Sequence, residues 1–400
     1  MAEDEKQKSD VSGITALTQL GRTPRQYFGF VNTPVFRGST VLFPDAESLE
    51  ARSLEYSYGR PSNPTTRALE TALAKLEGGE RTFLTPSGLS AISTTLLAFA
   101  EPGGHILICD SVYQPTRRVA ERVLKRMGVD VEYYDPAVGG GIGALLRQST
   151  KLVFTESPGS LTFDVQDIPA ICRSARGVGV PVAMDNTWGT PVYFKAFDHG
   201  VNISIQSATK YIVGHADALL GAITCDGAAA AAIAPTYEAL GLCANSEDSF
   251  LALRGLRTLA VRLERHWQSA MAIADWLQSR PEVEAVLYPA LPGAPGHELW
   301  KRDFLGATGL FSVILKPFPK SAVRRMLNAL QIFGMGYSWG GFESLIIPFD
   351  CTAARTATVW KPRGPTVRLH IGLEDVDDLR RDLERGFAAL AGAKSTIGKR

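Results

Sequence analysis

The stretch Ser204-Ile205-Gln206-Ser207-Ala208-Thr209-Lys210-Tyr211-Ile212-Val213-Gly214-His215 holds the residues best suited to chemistry. Val201, Ile203 and Ile205 alternate with polar residues and predict a strand. A turn of small residues follows, Ser207-Ala208-Thr209, and it delivers one lysine. Tyr211-Ile212-Val213 comes next, so Lys210 is expected beside a cleft rather than in open water. The two hydroxyls can each donate a hydrogen bond to an anionic oxygen. A lysine held next to a phosphate site is the arrangement for an aldimine with pyridoxal phosphate. The same residues fit a surface lysine at a strand end, and this stretch alone leaves both open.

Other segments supply the remaining parts of such a site. Pro86-Ser87-Gly88-Leu89-Ser90 follows the strand Arg81 to Leu84 and opens a helix, with Ser87 as its N-cap. The N–H groups of Gly88 and Leu89, with the helix dipole, make a second cradle for the same phosphate. Asp185 ends a strand and can pair with a pyridine nitrogen, which keeps the ring protonated as an electron sink. Tyr113 follows the strand His105 to Cys109 and can stack on that ring. Arg368 can hold a substrate carboxylate as a bidentate fork. The loop Tyr58-Gly59-Arg60 carries a ring and a guanidinium suited to an anion, or simply a solvated turn.

These residues need a scaffold that gathers strand ends. Strands and helices alternate: His105 to Cys109, Gln114 to Met127, Val129 to Tyr134, Lys151 to Glu156, Ile168 to Arg176, Val180 to Asp185. That is the βαβ pattern of a mostly parallel α/β sheet, which binds ligands beyond the carboxyl ends of its strands. A long helix, Ser249 to Leu277, leads to a smaller α+β region. Its expected strands are Val283 to Tyr288, Gly309 to Leu315, Leu330 to Phe333 and Thr366 to Ile371. Ala228 to Ala234 is expected to cross the surface, and Ile14 to Ala51 to form an extended arm. Residues 1 to 12 are polar and expected to fray. Gly139-Gly140-Gly141-Ile142-Gly143-Ala144 matches a dinucleotide-binding pattern, but Pro136 spoils the tight turn and no acid follows at the required distance. It reads as a loop.

Composition narrows the function. The net charge of +1 gives no reason to expect nucleic acid or a membrane surface as partner. The five cysteines include no C-x-x-C pair, so neither a disulfide framework nor a metal site is expected. The charged N-terminus has no apolar core of a secretory signal, and no run is long enough to span a bilayer. A cytoplasmic location is the simple expectation.

The runs Tyr58-Gly59-Arg60 with Asn63-Pro64-Thr65, and Ser207-Ala208-Thr209-Lys210-Tyr211 with Gly214-His215, resemble the Cys/Met-metabolism family of pyridoxal phosphate enzymes. So do Arg254-Gly255-Leu256-Arg257-Thr258-Leu259 and Arg368-Leu369-His370-Ile371-Gly372-Leu373-Glu374. The resemblance extends from about Thr15 to about Ala388. It implies a fold type I architecture: an N-terminal arm (1–62) contacting a neighbouring subunit, a large cofactor domain (63–256) and a C-terminal domain (257–400). It also implies a homo-oligomer, a tetramer of dimers with shared active sites, in which Tyr58 and Arg60 reach the phosphate of the adjacent subunit.

Glu156-Ser157-Pro158-Gly159-Ser160 and Tyr337-Ser338-Trp339-Gly340-Gly341-Phe342-Glu343 resemble the β-lyase branch of that family. This implies β-elimination from an amino-acid thioether, L-cystathionine giving homocysteine, pyruvate and ammonia. Lys210 carries the cofactor and the proton. Tyr113, with a pKa lowered by nearby cations, takes the substrate ammonium proton. Ser338 and Trp339 hold the substrate with its Cα–H bond perpendicular to the ring. Pro61 stands where some β-lyases have a second arginine for the far carboxylate. Tyr237 is a further site candidate, while His215 and His370 are expected to be packing or hydrogen-bonding residues. The competing activities are a cysteine desulfhydrase and a γ-lyase or γ-synthase; from another class, a regulator that binds the cofactor.

Overall fold

A computed structural model describes residues 13–392, so the expectation of fraying for residues 1 to 12 lies outside the described residues. Seven strands form one sheet: β1 (Arg81–Thr85), β2 (His105–Cys109), β3 (Asp130–Tyr134), β4 (Thr150–Glu156), β5 (Val182–Asp185), β6 (Ile203–Gln206) and β7 (Gly221–Cys225). Their spatial order is β1-β7-β6-β5-β4-β2-β3. All neighbours are parallel except β7, which runs antiparallel to both β1 and β6. Every residue of β2 is buried, as expected for a parallel strand covered on both faces.

A second, fully antiparallel sheet contains β8 (Val283–Leu287), β9 (Leu310–Leu315), β10 (Leu345–Phe349) and β11 (Thr366–His370), in the order β10-β11-β9-β8. The helix Ser246–Gln278 runs 33 residues past both sheets and buries Leu253, Leu256, Leu259 and Leu263. The alternation read from the sequence is therefore present, with the smaller sheet after it.

Local sequence explains the boundaries. The helix Pro64–Glu77 starts at an Asn63 capping box with Pro64 in its first turn, and ends at Gly78 with φ +85°. Leu69, Leu73 and Leu76 face the core, as their spacing predicts.

Three expectations need correcting, and two strands had no expectation at all. Ala228 to Ala234 lies within a helix, Gly227–Ala239, capped by Asp226 and burying Ala229, Ala230 and Ile233. A run of strong helix formers overrode the reading as a surface crossing. Leu330 to Phe333 is not a strand, because the Asp382 carboxylate accepts the N–H groups of Gln331, Ile332 and Phe333 and curls the segment. The arm is not wholly extended. Its first turns form the helix Gly13–Gln19, which buries Leu17 and is held by Arg257 Nη1 on the Leu17 and Leu20 carbonyls. Strands β7 and β10 were missed, since neither shows a clear period-two pattern: Gly-Ala-Ile-Thr-Cys and Leu-Ile-Ile-Pro-Phe.

Candidate active site

The carboxyl ends of β1, β2, β4, β5 and β6 share one edge of the large sheet, and the candidate residues follow them. The turn after β6 is held by its own backbone: Lys210 N–H donates to the Ser207 carbonyl and Gly214 N–H to the Lys210 carbonyl. Arg262, from the long helix, donates to the carbonyls of Tyr211 (2.7 Å), Ile212 (3.3 Å) and Gly255 (2.8 Å). Gly255 makes this approach possible, since a Cβ there would stand 2.1 Å from the Ile212 carbonyl oxygen. Arg262 was missed from the sequence. The only signal for it was its place on the same helix as the Arg254-to-Leu259 run.

The turn is also tied to the acid one strand away. Ser207 N–H donates to Thr187 Oγ1 at 2.8 Å. Thr187 in turn gives both its hydroxyl (2.6 Å) and its N–H (3.0 Å) to Asp185 Oδ1. Asp185 Oδ2 makes no hydrogen bond among the described residues. Burial pushes the Asp185 carboxyl up, against the Thr187 bonds and the Lys210 charge.

Gly88 and Leu89 open the helix Gly88–Ala98, and Ser87 caps it by accepting Ser90 N–H. Their own N–H groups find no intrahelical partner, which leaves two donors at a helix N-terminus. A Cβ on Gly88 would lie 2.5 Å from Ser207 Cβ and 2.6 Å from Ser207 Oγ. This pairing makes a close cradle that only glycine permits. Thr209 is engaged within the turn. Its hydroxyl donates to the Leu220 carbonyl (3.2 Å) and accepts Leu220 N–H (2.9 Å), so its proton is committed to the turn.

The opposite wall comes from the small sheet. Lys210 Nζ donates to Ser338 Oγ at 2.9 Å and lies 5.3 Å from the Trp339 ring centroid. Arg368 is buried on β11, and its Nη2 donates to the carbonyls of Tyr337 (2.9 Å) and Ser338 (3.0 Å). Its Nε is buried without a partner among the described residues, a donor still available for a carboxylate. Burial, then the Arg368 charge, lower the Lys210 amine to about 8, with Asp185 opposing.

Tyr113 sits half exposed after β2, its N–H donating to Glu156 Oε2 at 2.7 Å. The expected drop in its pKa is corrected. Burial, then Glu156 and Asp185, raise it and outweigh Arg368 and Arg118. Glu156 was not singled out as a site residue. It stands beside Asp185 in register and also accepts the Ser160 hydroxyl at 2.6 Å. Burial and Asp185 push Glu156 up to about 8. Tyr237 is a core residue, its hydroxyl bonded to the Leu84 carbonyl and its ring packed on Phe83. His215 bonds locally to the Val213 carbonyl. Tyr58 and Arg60 are exposed, and no described hydrogen bond or ion pair joins them to this site. The glycine run is a set of 3₁₀ turns, Pro136–Leu145, consistent with the loop reading.

A lysine with a lowered amine pKa, a half-buried acid that suits a ring nitrogen, and a glycine–serine cradle with free N–H donors together fit an aldehyde-bearing, phosphorylated pyridine cofactor. They define a pyridoxal phosphate enzyme of the doubly wound α/β class. The family described as Cys/Met metabolism PLP-dependent enzyme matches residues 14–388. A Rhizobium johnstonii protein, named provisionally as a cystathionine beta-lyase, is 50% identical over 382 residues, 94% of this chain and 96% of that protein. Cystathionine beta-lyase MetC of Escherichia coli (strain K12) is 40% identical over 388 residues, covering 94% and 98%. The crystal structure of cystathionine gamma synthase from Xanthomonas oryzae pv. oryzae superposes with a TM-score of 0.88 at 32% identity, covering 96% of this chain and 100% of that one. The chain belongs to the Cys/Met-metabolism family of pyridoxal phosphate-dependent enzymes.

Proposed function

We propose that this chain is a cystathionine β-lyase, cleaving L-cystathionine to L-homocysteine, pyruvate and ammonia. One observation carries the reading: the Lys210 amine stands between Asp185 and the Ser338–Trp339–Arg368 wall, 2.9 Å from Ser338 Oγ. The relatives at 50% and 40% identity bear β-lyase names, against 32% for the γ-synthase structure.

Lys210 would hold the cofactor through its amine, Asp185 would face the ring nitrogen, and Tyr113 would cover the ring. Gly88 N–H, Leu89 N–H and Ser207 Oγ would take the phosphate, with Thr209 setting the turn. When bound, pyridoxal phosphate supplies an aldehyde that condenses with amines and a ring that absorbs an electron pair from Cα. Arg368 Nε binds the substrate carboxylate and fixes the orientation of Cα. Lys210, at a pKa of about 8, holds enough free amine near neutral pH to take the Cα proton and deliver it to the leaving sulfur. Trp339 shields this transfer from water, and Ser338 Oγ orients the amine. Tyr113 is positioned by Glu156 through its backbone N–H. Burial, Glu156 and Asp185 raise its pKa, which favours a neutral hydroxyl over the ring.

The reading extends to assembly. Phe28 (98% exposed) and Leu42 (85%) lie on the arm that carries Tyr58 and Arg60. Apolar surface of this kind is what a partner subunit would cover. We take the protein as a cytoplasmic homotetramer whose arm, 1–62, completes a neighbour's site built by 63–256 and 257–400. No helix among the described residues is long and apolar enough to cross a membrane.

Incubating the purified holoprotein with L-cystathionine tests the reaction. Pyruvate is expected, and 2-oxobutyrate in its place would assign γ-cleavage. Mixing Lys210→Ala with Arg60→Ala protein under subunit exchange tests the shared site. Restored activity is expected, up to about a quarter per site for random pairing in an isologous dimer. Exchange without recovery would return Arg60 to its own subunit.

A further inference from the structure

Two buried imidazoles stand behind the loop that carries Ser338 and Trp339. His370 ends β11, and His266 lies on the helix Ser246–Gln278. Both are fully buried, and their ring centroids are 5.2 Å apart. Each also packs on the ring of Tyr211, the residue after Lys210, at 5.3 Å for His266 and 5.9 Å for His370.

Hydrogen bonding fixes one tautomer and limits the other. His266 Nδ1 is 2.8 Å from the Ile371 carbonyl oxygen. A carbonyl only accepts, so the His266 proton is on Nδ1 and Nε2 is a lone pair. That Nε2 is buried and has no partner among the described residues. His370 Nε2 lies 3.1 Å from Gly340 N and 3.1 Å from the Gly341 carbonyl oxygen. Accepting Gly340 N–H requires the proton on Nδ1, whereas donating to Gly341 requires it on Nε2. Burial disfavours the charged ring at both positions, so each imidazole carries one proton and the choice is binary. With the proton on Nδ1, His370 presents a buried donor that has no partner among the described residues. The neighbouring imidazole presents the unmatched acceptor.

We propose that His370 is a positioning residue whose Nδ1–H is committed to His266 Nε2 through one buried water, since the two atoms make no direct bond, leaving its own Nε2 to hold the Gly340 amide. The line of bonds runs from the Ile371 carbonyl through His266 and His370 to Gly340. It ends against the reactive lysine, because Gly340 rests on the Lys210 backbone. A Cβ at Gly340, where φ is +83°, would lie 2.9 Å from the Lys210 carbonyl carbon. Movement of Gly340 displaces Ser338 and Trp339, the two residues on the Lys210 amine. A two-residue proton choice in the core thereby sets the geometry of the wall. The catalytic consequence rests on the lyase reading above; the hydrogen-bond chain does not.

The test begins with the full-length holoprotein carrying isotope-labelled histidine. Long-range proton–nitrogen NMR reports which ring nitrogen is protonated, with His370→Gln and His266→Phe assigning the signals. Both imidazoles are expected neutral with the proton on Nδ1. A proton on His370 Nε2 would overturn the proposal. Two variants then separate positioning from mere packing. Gln places its terminal amide near the Nε2 position, so His370→Gln should retain most of kcat and slow exchange of the Gly340 amide. His370→Phe fills the space without an acceptor. It should lose about tenfold in kcat, the order of one buried hydrogen bond, with little change in KM and with faster Gly340 exchange. Equal losses in the Gln and Phe variants would reduce His370 to a packing role and sink the idea. If the holoprotein does not turn over cystathionine, the lyase reading fails, while the NMR and Gly340 exchange still decide the chain of bonds.

Discussion

The floor and the wall of the candidate site are held in different ways. The floor is the edge of the seven-stranded sheet, where Asp185, Ser207 and Lys210 follow adjacent strands and are linked through Thr187. Short backbone turns and a buried guanidinium on three carbonyls fix it. The wall is the segment Tyr337 to Gly341, where no regular strand or helix is found. Side chains from one face of β11 support it, Arg368 on two carbonyls and His370 beside Gly340. A floor tied through its own backbone turns and through Thr187 and Arg262, which stand outside the chemistry, should keep its shape when Lys210 or Asp185 is changed. A wall tied through side chains should not, since each support is also a ligand or a neighbour of one. Changes to the floor should therefore remove chemistry, and changes to the wall should alter placement.

The largest effect falls on the floor. Lys210→Ala should lower kcat at least about 10,000-fold, because it removes both the cofactor's amine partner and the proton carrier. Borohydride reduction of wild-type protein should fix the cofactor to Lys210, read by peptide mass spectrometry. Label on another lysine would dismantle the floor as described. Asp185→Asn comes next, with kcat down about 100- to 1,000-fold as the ring nitrogen loses its anion. Thr187 can still bond to the amide oxygen, so the turn should hold. Its melting temperature should be unchanged or higher, since desolvation already raises the pKa of this half-buried carboxylate and makes its charge costly to keep. A loss of stability with full turnover would reverse the roles of structure and chemistry at this position.

The floor was largely legible in the sequence, and the wall less so. Lys210, Asp185 and Gly88 lie where a strand ends in a turn, and strand ends announce themselves through apolar runs and small residues. The links that make the floor rigid were not visible: Thr187 is two residues past a strand, and Arg262 is one of many arginines on a long helix. Glu156 was seen as part of a motif, but its position beside Asp185 depends on β4–β5 register, which no single strand reveals. In the wall, Arg368 was read from its chemistry as a carboxylate fork, while Ser338 and Trp339 came from family likeness. His370 was read as structural because an imidazole on an apolar strand gives no hint that its Nε2 meets a glycine amide from another segment. Thr209 shows what a turn motif leaves unsaid: its hydroxyl also ties the turn to the backbone of Leu220, a contact that no local pattern announces.

The third effect tests the wall. Arg368→Ala should raise KM for cystathionine about 10- to 100-fold, the worth of hydrogen bonds between a charged donor and a carboxylate. Because Nη2 also carries the Tyr337 and Ser338 carbonyls, kcat should fall with it, while cofactor absorbance stays in place. Arg368→Lys should restore little, since one ammonium cannot serve the loop and the substrate together. A rise in KM at unchanged kcat would mean that the loop stands without Arg368, and the contrast with the floor would weaken.

The smallest effect concerns Ser338, where floor and wall touch. Its hydroxyl accepts a hydrogen bond from Lys210 Nζ, and that bond favours the ammonium over the amine. Burial and Arg368 act the other way and bring the amine to about 8. Removing the hydroxyl should therefore lower the midpoint further, by less than about one pH unit, since one unit equals ~1.4 kcal/mol. Removing Arg368 should raise it. Both shifts can be read in the apoprotein from the rate at which an amine-directed acylating reagent modifies Lys210. That rate climbs as pH rises through the midpoint, because only the free amine reacts. In wild-type protein the midpoint is expected near pH 8, lower in Ser338→Ala and higher in Arg368→Ala. The Ser338→Ala enzyme should keep kcat within about tenfold, as expected for a single hydrogen bond. Shifts of the same sign in both variants would mean that the loop moves as a unit and the wall acts on Lys210 by position alone. Opposite signs would mean that charge and hydrogen bond act separately on an amine the floor has already fixed.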